Sequence, residues 1–186
     1  APIAPVNPYG RSKAMAERIL EDAAKAGQVR AVCLRYFNAA GASKDGRWGE
    51  DHRPESHLIP RVLKAILDGT PVTVYGNDYP TPDGTAVRDY IHVEDLAQAH
   101  LRALELLTRQ PFSALNLGTG RGHSVREILQ AAQPVTGRPL RIEQGPRRQG
   151  DPAVLVASPD SFRSTLGFKN SCSDISEIIE SAYTWH

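Results

Sequence analysis

The sequence predicts an α/β fold in which helices alternate with short, buried, parallel strands. Three observations lead there. A helical stretch opening at Pro8 runs into the apolar, β-branched segment Val29 to Leu34, whose continuous rather than alternating hydrophobicity suits a strand covered on both faces. The same helix-to-strand succession returns at Leu58 to Asp68 followed by Val72 to Tyr75. A third apolar run, Ala114 to Leu117, leads through a glycine-rich turn to Ser124 and Glu127, a capping-box pair that opens another helix.

Each element has local reasons. Asn7 fits an N-cap and Pro8 a first helical position; Met15, Ile19, Leu20 and Ala23 supply an apolar face, and Gly27 a stop. The strand after it ends in Arg35-Tyr36-Phe37-Asn38-Ala39-Ala40-Gly41, placing polar groups at the carboxyl end of a parallel strand, where an open α/β sheet forms its ligand crevice. Residues 42 to 56, with Gly46, Gly49 and Pro54, read as a loop. Leu63, Ile66 and Leu67 face inward on the helix that Gly69 ends. The turn-rich Gly76 to Thr85 precedes a short strand near Val87 to Ile91. The helix Val93 to Leu107 then presents Leu96, Ala97, His100, Leu101, Leu104 and Leu107 on a broad apolar face. Val125, Ile128, Leu129 and Ala132 form the stripe behind Ser124. Strands at Leu140 to Glu143 and Val154 to Val156 flank a basic loop, and helices near Asp160 to Leu166 and Asp174 to Tyr183 complete the chain.

A chain of 186 residues, 40% hydrophobic and 23% charged, has material for a domain with a buried core. Its net charge of +1 gives no electrostatic case for nucleic acid or an anionic membrane. No apolar run approaches the roughly 20 residues that span a bilayer, so a cytoplasmic location is expected. Cys33 and Cys172 stand alone, which argues against a disulfide framework or a thiolate metal site. His52, His57, His92, His100, His123 and His186 show no ligand spacing on one helix face, and no metal is expected.

Tyr9 and Lys13 stand at i and i+4, on one helix face. A phenol titrates ordinarily at about 10 and is a poor base at neutral pH; a neighbouring ammonium stabilises the phenolate, and such a pair suits abstraction of an alcohol proton.

Tyr9-x-x-x-Lys13, followed by a strand ending Arg35-Tyr36-Phe37-Asn38, resembles the extended short-chain dehydrogenase/reductase superfamily. A narrower resemblance lies in Val74-Tyr75-Gly76-Asn77-Asp78-Tyr79-Pro80-Thr81-Pro82-Asp83-Gly84-Thr85, in Val87-Arg88-Asp89-Tyr90-Ile91-His92-Val93-Glu94-Asp95-Leu96-Ala97, in Asn116-Leu117-Gly118-Thr119-Gly120 and in Pro146-Arg147-Arg148-Gln149-Gly150-Asp151-Pro152. In that order, over nearly the whole chain, these are similar to the UDP-glucose 4-epimerases. The resemblance implies the last part of a doubly wound parallel nucleotide-binding sheet plus a smaller α/β substrate-binding lobe. Residues 1–41, with return segments near 86–119, would belong to the C-terminal part of an NAD-binding Rossmann-like domain, and residues 42–186 mainly to the UDP-sugar-binding lobe. It also implies a C-terminal fragment. The one glycine cluster, Gly118 to Gly122, has the wrong third spacing for a dinucleotide fingerprint and no acidic residue about 20 positions on. A Gly-x-x-Gly-x-x-Gly turn, and a Ser or Thr hydroxyl shortly before Tyr9, are expected upstream.

The activity implied is interconversion of UDP-glucose and UDP-galactose through NAD-dependent oxidation and re-reduction at sugar C4. In that reading Tyr9 takes the 4-hydroxyl proton and Lys13 contacts the nicotinamide ribose. Tyr36 and Phe37 match positions near the nicotinamide and sugar; Asn38, Leu58 and the backbone near Thr73 match substrate contacts. His57 stands where the family often has asparagine. Arg88 and Arg148 match the arginines that pair with the diphosphate, Asp151 the acid that accepts uridine ribose hydroxyls, and Tyr75 the aromatic that stacks on uracil. Leu155, four residues after Asp151, occupies a position where the family carries either a bulky tyrosine that closes the sugar pocket or a small residue that admits an N-acetyl group; the alternative is that it continues an apolar strand into the core. Arg147 receives no role. A homodimer of the full-length protein is expected. Competing readings are another nucleotide-sugar epimerase or dehydratase of the superfamily, and a non-catalytic UDP-sugar-binding fragment. Against the dehydratase, Val6-Asn7-Pro8 offers no acid beside the tyrosine.

Overall fold

The computed structural model describes residues 3–5 and 7–186. In chain order the elements are α1 (Pro8–Lys25), β1 (Ala31–Tyr36), β2 (Asn38–Ala40), α2 (Leu58–Asp68), β3 (Val72–Tyr75), β4 (Val87–His92), α3 (Val93–Ala103), α4 (Leu106–Arg109), β5 (Phe112–Leu117), β6 (Gly122–Ser124), α5 (Val125–Thr136), β7 (Ile142–Gly145), β8 (Val154–Leu155), α6 (Asp160–Leu166) and α7 (Ile175–Trp185). β1 pairs in parallel with β5, and β3 with β7. β4 is the hub of a third sheet: β2 and β8 run parallel to it and β6 antiparallel.

The caps act as read. Asn7 accepts from the Gly10 amide at 2.8 Å with Pro8 at the first position, the capping box of Ser124 and Glu127 is complete, and Gly69 ends α2 in the left-handed region at φ +67°. α2, β3 and α6 occupy the expected ranges. The long helix over Val93 to Leu107 is instead two, because the Leu104 and Glu105 amides turn to carbonyls three residues back. Its expected apolar face is also rotated: Leu101 and Leu104 are 59% and 58% exposed, and the buried line runs through Ala99 and Ala103, whose small side chains let α3 approach closely, and on to Leu106 of α4. Met15, Ile19 and Leu20 likewise stand exposed on α1, where Ala24 is the buried residue.

Two hydrophobic clusters result. One gathers α2, α5 and α7 against β3 around Leu63, Ile128 and Ile178. The other gathers β1, β5, α3, α4 and α6 around Leu117, Leu106 and Phe162. No helix among the described residues is long and apolar enough to cross a membrane.

Buried polar groups of β4 and α3 tie distant segments to this frame. Asp89, 1% exposed, accepts from the Thr119 amide and hydroxyl and from the Gly120 and Ala157 amides, all at 2.6–3.2 Å. Gly118 must lack a side chain here, because a Cβ would stand 2.6 Å from the Ala157 Cβ and 2.7 Å from Asp89 Oδ2. Asp95 accepts from the Ser171 amide and hydroxyl, the Cys172 amide and the Ser173 hydroxyl. Burial raises its pKa, but those donors outweigh burial and hold the carboxyl below its ordinary value.

His92 accepts the Glu94 amide on Nδ1 at 3.1 Å, capping α3, so Nε2 carries the proton toward Ser181 Oγ at 3.0 Å. Burial lowers the His92 pKa, against the opposing pull of Glu94 and Asp95. An unfolded histidine takes up a proton at about 6.5, whereas the folded one resists to lower pH. The stabilisation is therefore complete above that value and shrinks as pH falls toward the folded value. In urea unfolding, the loss of stability between pH 7.5 and 5.5 should be smaller in His92→Gln than in the parent; an equal loss would show that His92 does not set it.

Candidate active site

Tyr9 sits on the first turn of α1 and Lys13 one turn on, with Lys13 Nζ 5.3 Å from the Tyr9 ring centroid. The Tyr9 phenol is 71% exposed and stands at the edge of a cavity of about 630 Å³. Its walls come from the carboxyl end of β1 and from β2 (Tyr36, Phe37, Asn38), from the loop before α2 (Trp48, Glu50, His52, His57) and from α3 (Glu94, Ala97). A hollow of about 450 Å³ shares Tyr9, Tyr36 and Phe37 with this cavity and is lined beyond them by Lys13, Glu17, Cys33 and Arg35. Arg35 is held by Glu17 in a two-point ion pair, and burial pushes the Cys33 thiol up, keeping it protonated.

A third cavity, of about 210 Å³, adjoins the first through the shared residues Asn38 and His57. Its lining brings together Asn38, His57, Leu58, Thr73, Tyr75, Arg88, Arg148 and Asp151, eight of the nine residues expected to contact substrate. The Asn38 side chain donates to the Asp89 carbonyl at 2.8 Å, fixing its orientation across β2 and β4. Arg88 is mostly buried and forms an ion pair with Asp151, while its Nη1 donates to the Val87 carbonyl at 2.7 Å. Arg148 lies over the Tyr75 ring at 4.1 Å, and Arg147 over Tyr79 at 4.0 Å. The adjacent arginines thus diverge, as an extended loop requires.

Leu155 is the exception. It pairs in register with Arg88 across β8 and β4 but lines neither cavity, and at 38% exposure it does not face the core either. Three polar lining residues were given no site role by the sequence reading, Ser56, Arg61 and Tyr90, as were the apolar Val72, Ala86 and Val125. Arg61 lies one turn after Leu58 on α2, a spacing that could have pointed to it. Burial pushes the Tyr90 phenol far above its ordinary range, leaving a neutral hydrogen-bond donor. The arrangement sets a phenol and an ammonium at one end and three guanidinium groups, Arg61, Arg88 and Arg148, at the other. It suits proton transfer on a molecule whose far end is anionic.

Comparison with known proteins agrees with this geometry. The NAD dependent epimerase/dehydratase family model matches residues 1–118. A UDP-glucose 4-epimerase of Lacticaseibacillus casei is 50% identical over 100% of this chain and 56% of its own length, and one of Rhizobium leguminosarum bv. trifolii is 52% identical over 98% of this chain and 56% of its own. The crystal structure of UDP-glucose 4-epimerase from Brucella ovis in complex with NAD superposes with a TM-score of 0.90 at 50% identity, covering 97% of this chain and 56% of that one. The Bifidobacterium longum enzyme in complex with NAD+ and UDP gives 0.89 at 41% identity, covering 96% and 54%. The chain therefore spans about half the length of the relatives it matches. With its Tyr-Lys pair, its parallel strands and its paired cavities, it belongs to the NAD dependent epimerase/dehydratase family.

Proposed function

We propose that the enzyme carrying this chain interconverts UDP-glucose and UDP-galactose by oxidation and re-reduction at sugar C4, with NAD as cofactor. One observation carries this reading: eight residues expected to hold the nucleotide sugar line one cavity, which joins at Asn38 and His57 the cavity that Tyr9 borders. The residues present fit the nicotinamide-ribose end of NAD, since Tyr9 and Lys13 share a helix face beside a hollow of about 450 Å³. NAD, when bound, supplies hydride acceptance and return. Tyr9 removes the 4-hydroxyl proton and later restores it, and Lys13 holds positive charge beside the phenol. The cavity of about 630 Å³ gives the sugar room to turn over while the nucleotide stays anchored.

Anchoring exchanges partners already present. Arg148 leaves the face of Tyr75 for the diphosphate as uracil takes the ring, and Arg88 turns part of its fork from Asp151 to phosphate while Asp151 accepts ribose hydroxyls. Arg148→Ala should weaken UDP binding by about tenfold, about 1.4 kcal/mol, a modest figure because Arg148 is exposed before binding. Unchanged affinity by calorimetry would remove Arg148 from the site. Leu155→Ser should raise activity on UDP-N-acetylglucosamine relative to UDP-glucose if Leu155 limits sugar size from its place beside Arg88. An unchanged ratio of kcat/KM in a folded variant would rule that out.

The two hydrophobic clusters support the proposed division. One core draws mainly on residues 1–41 and 86–119, joined by α6 and Phe168, and the other mainly on residues 42–186, although Ala40 and Tyr90 belong to it too. A cytoplasmic homodimer is part of the same proposal. The direct test is conversion of UDP-galactose to UDP-glucose by the enzyme carrying this chain, supplied with NAD. UDP binding without conversion would favour the non-catalytic binding reading, and no UDP binding would overturn both.

A further inference from the structure

The loop between β2 and α2 gathers four side chains that take no part in the proposed proton transfer, Glu50, His52, Glu55 and His57, of which His57 alone is expected to touch substrate. One ligand-capable atom from each lies within 4.8 Å of all the others. His52 Nδ1 is 2.9 Å from Glu50 Oε1 and 3.9 Å from Glu55 Oε1. His57 Nδ1 contacts the same Glu50 oxygen and is 3.5 Å from Glu55 Oε1. The two rings face each other at 5.2 Å between centroids.

The cluster is held from several directions. Glu55 Oε1 accepts the Ser56 and His57 amides, each at 2.7 Å, which fixes the carboxylate at the start of α2. The indole of Trp185 on α7 donates to the Glu50 carbonyl at 3.1 Å. Trp185 also packs so closely on Gly49 that a Cβ there would meet its ring at 2.3 Å. The carboxylates are only 18% and 12% exposed, and among the described residues neither makes an ion pair with a lysine or arginine. Two largely buried carboxylates thus converge on the same two imidazoles with no lysine or arginine beside them. A divalent cation seated among the four side chains would compensate both carboxylates.

The donor set narrows the cation. Two imidazoles and two carboxylates at metal bonds of about 2.0–2.2 Å give tetrahedral donor separations of roughly 3.3–3.5 Å. Three of the six donor separations, 2.9, 3.5 and 3.9 Å, lie around that spacing, all four donors fall within 4.8 Å of one another, and the closer His57–Glu50 contact must open to admit an ion. Oxygen-only cations such as magnesium and calcium would leave the imidazoles unused.

We infer that Glu50, His52, Glu55 and His57 bind a divalent ion of the zinc class. Because His57 lines both cavities and Glu50 and His52 line the larger one, an ion there fixes one wall of the site and takes Nδ1 of His57. The inference does not depend on the reaction assigned to that site, and it is tested on the enzyme carrying this chain with no substrate present. Titration with Co²⁺ should give a saturable visible absorption band at one ion per chain, abolished by Zn²⁺. Zn²⁺ should also raise the melting temperature by mass action. His52→Ala and Glu55→Gln should each weaken binding at least about tenfold and remove the Zn²⁺-induced shift. His100→Ala and His123→Ala, which lie outside the cluster, should bind like the parent. His52 is half exposed, and glutamine at 55 keeps an oxygen for the two amides, so both variants should melt like the parent without metal. Co²⁺ binding that survives His52→Ala unchanged, or no saturation at about 1 mM ion, would overturn the inference.

Discussion

Replacing Asp89 by alanine should lower the free energy of unfolding by about 3 kcal/mol, the result of stripping the acceptor from the buried Ala157 amide and from two amides and a hydroxyl that water reaches only in part. The effect is structural. Asp89 joins β4 to the Thr119-Gly120 turn and to Ala157, and the close fit around Gly118 leaves that turn little freedom to find other partners. Urea denaturation of the chain would read the loss as a lower midpoint with unchanged slope. A midpoint equal to the parent's would mean that water replaces the carboxylate, and that the motif's aspartate serves something other than stability. Arg88, its neighbour, points the other way into the smaller cavity, so the two halves of one dipeptide separate into fold and site.

Tyr9→Phe should reduce epimerase turnover by roughly 10² or more in the enzyme carrying this chain, while UDP affinity stays near the parent's. The change removes one oxygen and keeps the ring beside Lys13. Tyr9 lies outside the cavity that contains Arg88, Arg148 and Asp151, so binding and chemistry should part cleanly. Near-normal turnover in this variant would exclude Tyr9 as the base. Loss of UDP binding would place it among the anchors.

Much of the fold was legible where it is local. α2, β3 and α6 follow from caps, stops and short apolar runs, and Ser124 with Glu127 marks the start of α5. Burial was less legible, because it depends on what packs against an element. Leu101 and Leu104 look like core by hydrophobicity, yet α3 approaches its neighbours through Ala99 and Ala103. The Tyr9-Lys13 pair could be read directly, since helix geometry fixes the relation of residues four apart. The substrate residues were placed by resemblance, and the structure then drew eight of them into one cavity; Arg61 and Ser56 had no motif to carry them, and Tyr90, though inside the Val87-to-Ala97 motif, was given no role. The Glu50-His52-Glu55-His57 cluster was the least visible. A search for ligand spacing on helix faces does not reach a loop, where no period relates sequence distance to spatial distance.

The acids of β4 and α3 also set a timetable. Asp89 finds its donors 30, 31 and 68 residues further along the chain, and Asp95 finds its own 76, 77 and 78 residues on. A chain growing from its N-terminus therefore completes β4 long before it has made the amides and hydroxyls that accommodate these carboxylates. Until then both must remain hydrated, which keeps the hub of the third sheet open. Closure awaits residues 157 and 171–173, so this region should consolidate late and as a unit, at the rate set by long-range contacts rather than by its helices.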